Sequence, residues 1–132
     1  LGSLPPRALP VAETQLFNAD AIVRSGEKIY AQHCAQCHGK DGNGVAGVYP
    51  PLNGNSSVTE PTGINATRMI LLGGFAPLTA SRPRPYSMPP FAQQLSDVEV
   101  SAVASYIRRS WANQASVVRP DDVSKYRHTP ID

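Results

Sequence analysis

The sequence has no apolar run longer than Met69 to Leu72, far short of the roughly 20 residues that a membrane-spanning helix needs, so no membrane span is expected. It also lacks a basic cluster. Twelve Lys and Arg are spread among ten Asp and Glu for a formal charge of +2, which excludes the electrostatic footprint of a nucleic-acid binder. No Gly-rich nucleotide loop is present, which argues against a dehydrogenase active site in this chain. Bulky aromatics are scarce, with three Phe and one Trp, while thirteen Pro and ten Gly describe a loop-rich chain with few long elements. At 132 residues the length fits one domain, and chains of this size bury a poor share of their surface. The chain starts at Leu1 with neither a methionine nor a signal-like segment, which is compatible with removal of an export signal or an upstream domain.

Both cysteines of the chain fall in Cys34-Ala35-Gln36-Cys37-His38. This C-x-x-C-H pattern is the attachment signature of a c-type haem. Two thiols at this spacing reach the two vinyl groups of one porphyrin, and the next residue brings an imidazole under the iron. A haem would also supply the apolar bulk that the side chains lack. A structural zinc site would want a second C-x-x-C or an H-x-x-x-H, and neither exists. A thioredoxin-like pair should follow a βαβ pattern, whereas this one ends an amphipathic helix.

Residues 1 to 17, with Pro5, Pro6 and Pro10, read as an extended arm or linker, residues 18 to 113 as the haem domain, and 114 to 132 as a polar tail that either packs or dangles. From Asn18 or Asp20, the residues Ile22, Gly26, Ile29, Tyr30 and His33 recur at helical spacing into Cys34. A glycine inside that helix costs about 1 kcal/mol against alanine, so close packing is expected at Gly26. Residues 39 to 63 read as loop, and a short helix is expected from Asn65 or Ala66 to Leu72, with Asn65 as N-cap and Gly73 just past its end. The stretch Phe75 to Pro90 should be irregular but stiff. Ser96, Asp97 and Glu99 form a capping box for the last helix, whose stripe is Val100, Val103, Ala104, Ile107 and Trp111, with Arg108 and Arg109 complementing the dipole of its last turn.

His38 is the expected first axial ligand, its position being fixed by Cys34 and Cys37. For the second, Met88, Met69, His33 and His128 are candidates. Met88 sits in a loop stiffened by Pro89 and Pro90, whereas Met69 lies among Ile70, Leu71 and Leu72, where packing explains it. His33 and His128 read as surface histidines. Arg82, Arg84 and Tyr86 precede Met88 and are candidates for the haem propionates, since guanidinium suits carboxylate; ordinary solvated charges would read the same.

The haem motif near the start, the methionine in a proline-rich loop and the final capped helix resemble class I c-type cytochromes over about residues 20 to 112. The resemblance implies an all-α fold of three or more helices and long loops around one covalent haem c. It also implies a close crossing of the first and last helices at Gly26, Tyr30 and Tyr106, and Met88 as the distal ligand. The family pattern P-x-L-x-G places the carbonyl of Pro50 on the His38 ring, with Leu52 against the porphyrin. Pro51 takes that role only if the register slips by one.

Tyr49-Pro50-Pro51-Leu52-Asn53-Gly54, Met88-Pro89-Pro90-Phe91 and Tyr106 to Asn113 are more specific. They are similar to the haem domains in cytochrome subunits of bacterial membrane-bound alcohol, sugar-acid and aldehyde dehydrogenases. Those subunits often hold three haem domains, whereas this chain holds one haem motif, which leaves open a separate carrier, a one-haem subunit or an excised domain. The resemblance implies a periplasmic electron carrier that is not itself an enzyme. A dehydrogenase, other cytochromes or a terminal oxidase would be its redox partners. A peroxidase, an oxidase or a gas sensor would need an open or weakly held sixth position, and no distal acid and arginine constellation is recognisable for it.

Overall fold

The computed structural model describes residues 18–75 and 87–128. The expected arm over 1–17 and the propionate candidates Arg82, Arg84 and Tyr86 lie outside the described residues. Asn18 opens helix α1 (Ala19–His33) by accepting the N–H of Ala21, and Ile22, Gly26 and Tyr30 form its buried stripe. Cys34 breaks the helix with its N–H on the Tyr30 carbonyl, and a single turn, α2 (Ala35–His38), follows. After the loop come α3 (Ile64–Leu72), β1 (Gly74–Phe75), β2 (Ser87–Met88), α4 (Asp97–Arg109) and α5 (Pro120–Arg127). The all-α class holds, with five helices among the described residues. One addition is the short antiparallel pairing of Gly74 with Met88 and Phe75 with Ser87, in a stretch expected to be irregular.

Helices α1 and α4 meet backbone to backbone. A Cβ on Gly26 would stand 1.9 Å from the Ala102 carbonyl oxygen and 2.7 Å from the Tyr106 Cβ, so any side chain there would push the helices apart. The Tyr30 and Tyr106 rings pack beside this crossing with centroids 5.3 Å apart. The capping box of α4 forms as expected, with Ser96 N–H on Glu99 and Glu99 N–H on Ser96. Val100, Val103, Ala104 and Ile107 are buried.

Four details differ from the sequence reading. Helix α3 begins at Ile64, with Gly63 at φ +78° as its N-cap, so Asn65 is an exposed helical residue instead of the cap. The Glu60 carboxylate explains this, because it already accepts the N–H groups of Thr62, Gly63 and Ile64. Trp111 does not continue the α4 stripe. It stands beyond the helix at φ +56°, with its ring 5.5 Å from Tyr30 and 5.8 Å from Tyr106.

Arg108 is not an exposed cation at a helix end. It is fully buried and donates to the carbonyls of Val58 (3.0 Å), Glu60 (2.6 Å) and Ser116 (3.0 Å). Burial lowers its pKa, yet guanidinium remains charged, and these acceptors replace the water it has lost. The fourth is a helix that the sequence reading did not place: the polar stretch after Asn113, left open there to pack or dangle, packs through α5, with Val118 and Val123 buried and Arg127 donating to Asp97 and to the carbonyls of Ala92 and Leu95. Pro120 at N1 followed by Asp121 and Asp122 was the available signal for that helix.

Candidate functional site

A cavity of about 720 Å³ is lined by residues of segment 33–58, by residues of α3, segment 73–74 and segment 88–91, and by Ile107 of α4. Cys34 and Cys37 both line it, and both thiols are free. Burial, and then the neighbouring Cys37, push the Cys34 thiol up to about 11. An attacking or metal-bound cysteine needs the opposite shift. Among the described residues no group of three or more His, Cys, Asp and Glu is arranged to hold a metal ion, so the zinc and thioredoxin-like readings find no support here.

His38 is buried, and its Nδ1 lies 3.0 Å from the carbonyl oxygen of Pro50. A carbonyl can only accept, so the ring donates from Nδ1 and keeps a lone pair on Nε2. Desolvation lowers the pKa of the ring, against the smaller pull of the Pro50 contact, which favours neutral imidazole. Pro50 is itself fixed. Gly44 N–H bonds the His38 carbonyl (2.8 Å), and the Leu52 and Asn53 N–H groups bond that of Gly42 (2.7 and 2.9 Å). The carbonyl of Pro51 is occupied by the Asn55 side chain, so the register slipped by one is not adopted.

Asn113 ties this loop to the end of α4. Its amide donates to the carbonyls of Leu52 (3.0 Å) and Ile107 (2.9 Å) and its oxygen accepts the Gly54 N–H (2.8 Å). Trp111 adds a bond from its indole N–H to the Lys40 carbonyl, and its ring fills the space that a side chain on Gly42 would need. The 49–54 and 106–113 motifs, read separately in the sequence, are therefore one hydrogen-bonded unit behind His38.

On the other side Met88 lines the cavity and is held by main chain: the β1–β2 pairing, Phe91 N–H on the Ile70 carbonyl (2.9 Å) and Ala92 N–H on that of Leu71 (3.1 Å). These bonds satisfy carbonyls that the end of α3 would otherwise leave unpaired. Gly73 permits the approach, since a Cβ there would stand 2.2 Å from the Met88 carbonyl oxygen. Met69, expected to be packed, is instead 47% exposed and also lines the cavity. His33 is exposed as expected, yet it too lines the cavity and leans edge-on against Phe91. His128 lies at the end of α5, exposed and away from the cavity.

Two thiols one turn apart, a neutral imidazole with a free Nε2, and a thioether share a cavity walled by Leu52, Val58, Ile70, Phe91 and Ile107. These residues fit a covalently attached haem with two axial donors. The family model described as Cytochrome c matches residues 23–111. The chain belongs to the cytochrome c family. That family carries covalently bound haem c, and the helical architecture described above is that of class I cytochromes c.

The chain is 36% identical over 117 residues to the cytochrome c subunit of a quinone alcohol dehydrogenase from Gluconobacter oxydans, covering 88% of this chain and 24% of that subunit. It is 32% identical to the gluconate 2-dehydrogenase cytochrome c subunit of Pantoea cypripedii, over 79% of this chain and 24% of the relative. Cytochrome c-552 of Thermus thermophilus is 35% identical over 70% of this chain and 72% of its own length. The chain thus spans about a quarter of the dehydrogenase subunits it resembles. No helix among the described residues is long and apolar enough to cross a membrane.

Proposed function

We propose that this cytochrome c holds one haem through Cys34 and Cys37, with His38 and Met88 as axial ligands, and relays single electrons. The observation that carries the reading is the cavity itself, which collects both free thiols, the neutral His38 ring and Met88. Bound haem supplies the one-electron ferric/ferrous couple. The chain's own residues do the rest. Pro50 sets the tautomer of His38 and so aims Nε2 at the metal position. Met88 provides a thioether donor, which favours the reduced state and raises the potential. Leu52, Val58, Ile70, Phe91 and Ile107 keep water from the macrocycle. With two protein donors in place no position is left for an organic substrate, so the chain passes electrons without oxidising a substrate itself.

The likeness to dehydrogenase cytochrome subunits supports a periplasmic dehydrogenase as donor, with another cytochrome or a terminal oxidase as acceptor. Arg82, Arg84 and Tyr86 remain proposed propionate partners. Met88→Ala in the holo-protein is expected to abolish the methionine-to-ferric-iron charge-transfer band and lower the reduction potential. The same losses in Met69→Ala, with Met88→Ala unaffected, would reassign the ligand to the other methionine of the cavity. Turnover of an alcohol or aldehyde by the purified chain alone would overturn the carrier reading.

A further inference from the structure

Helix α5 is fastened to the rest of the domain at both ends. Before it, the hydroxyls of Ser101 and Ser105 on α4 both donate to the Val118 carbonyl (2.6 and 3.1 Å), and within it Val123 is fully buried. Its last residue, Arg127, thereby comes to lie against the chain that runs from Met88 into α4. The Nε–H of Arg127 donates to Asp97 (2.8 Å), and its two terminal nitrogens donate to the carbonyls of Ala92 and of Leu95 (3.1 Å to Leu95). One guanidinium spans three acceptors, which uses the planar fork that arginine has and lysine lacks. The Asp97 side chain is 35% exposed, so its ion pair contributes little, and the two carbonyl bonds carry most of the hold.

Ala92 stands four residues after Met88. Its N–H is on the Leu71 carbonyl (3.1 Å), while its own carbonyl is on Arg127. The segment that carries the methionine is thus tied to α3 by main chain and to α5 by a charge-assisted contact, a kind about twice as strong as a neutral one. A swing of segment 88–91 away from the cavity, which would free the sixth position, turns about Ala92. We propose that Arg127 is a positioning residue for Met88: by holding the Ala92 and Leu95 carbonyls it keeps the methionine in place and slows the entry of competing ligands. This rests on the His38/Met88 carrier reading. It makes α5 the element that keeps the carrier closed to small molecules.

The test is the rate at which imidazole binds the ferric holo-protein, followed by loss of the methionine charge-transfer band. Arg127→Gln should bind imidazole about tenfold faster or more, the factor expected from losing one hydrogen bond to a charged group. Arg127→Lys, which keeps the charge but not the fork, should fall between that variant and the wild type. Asp97→Asn should stay within about twofold of the wild type, since it removes only a partly exposed ion pair. Ile22→Ala separates position from stability, because Ile22 is buried on α1 and does not line the cavity; its rate should be that of the wild type. An unmoved rate in Arg127→Gln, or an equal acceleration in Ile22→Ala, would overturn the proposal. Equal acceleration in Asp97→Asn would overturn it too, by assigning the hold to the ion pair. If Arg127→Gln accumulates no holo-protein, Arg127→Lys decides: faster binding supports the proposal and a wild-type rate overturns it. A wild type without a methionine band would overturn the carrier reading and this one with it, whereas a wild-type band beside an unmoved Arg127→Gln rate removes only the role of Arg127.

Discussion

On the cysteine side of the cavity side chains add to the main-chain hydrogen bonds of the loop, whereas on the methionine side, among the described residues, the chain is held largely by main chain alone. Behind His38, the amide of Asn113, the indole of Trp111 and the amide of Asn53 reach across to backbone groups. Around Met88 the bonds run from backbone to backbone, and Gly73 makes the close approach possible. The difference predicts where single substitutions act. Truncating one side chain can loosen the cysteine side, while the methionine side should respond mainly to changes that disturb the path of the chain.

The largest effect is expected at Asn113. It is 3% exposed, and Asn113→Ala removes three hydrogen bonds at once, leaving two carbonyls and one N–H without partners. A loss of about 3–5 kcal/mol in denaturant unfolding of the holo-protein is expected. The methionine charge-transfer band should survive in the folded fraction, because no bond to the Met88 segment is cut. A loss below about 1 kcal/mol, no more than one ordinary hydrogen bond contributes, would show that the loop behind His38 is held by something else.

Gly73→Ala probes the other side. The residue sits at φ +69°, and the added Cβ would meet the Met88 carbonyl oxygen at 2.2 Å. Strain of this kind costs about 1–3 kcal/mol. Covalent haem content should be unchanged while the methionine band weakens, the reverse of the Asn113 pattern. Both variants weakening the methionine band equally would erase the contrast between the two sides.

The same contrast explains what could be read from the sequence. C-x-x-C-H, P-x-L-x-G and the capping box are local patterns in which chemistry fixes both residue type and spacing, and His38, Pro50 and Ser96 stand where those patterns put them. The contacts of Arg108 and Asn113 are decided by partners about 50 and 60 residues away, which no local period records. Arg108 in a last helical turn has the same local signature whether it faces water or the carbonyls of Val58 and Glu60. By its apolar neighbours Met69 reads as packed, yet Ile70 and Leu71 take the buried face and leave Met69 toward the cavity and solvent.

The smallest effect is expected at Glu60, where the α3 side is held by a side chain after all. Its carboxylate caps α3 through the N–H groups of Thr62, Gly63 and Ile64, so Glu60→Gln should cost about 1 kcal/mol or less at neutral pH. Burial pushes its pKa up, but the hydrogen bonds from Thr62, Gly63 and Ile64 outweigh that and hold it below the ordinary 4.5. A group whose folded pKa is depressed contributes stability that is present above its unfolded value and is lost as pH falls through the folded one. The wild type should therefore exceed Glu60→Gln above pH 4.5 and converge with it in more acidic solution. Unfolding midpoints of both proteins along an acid series would measure this. A gap that stays constant into acid would mean that the carboxylate charge is not what caps α3, and that its geometry alone, which glutamine can copy in part, holds this end of the helix.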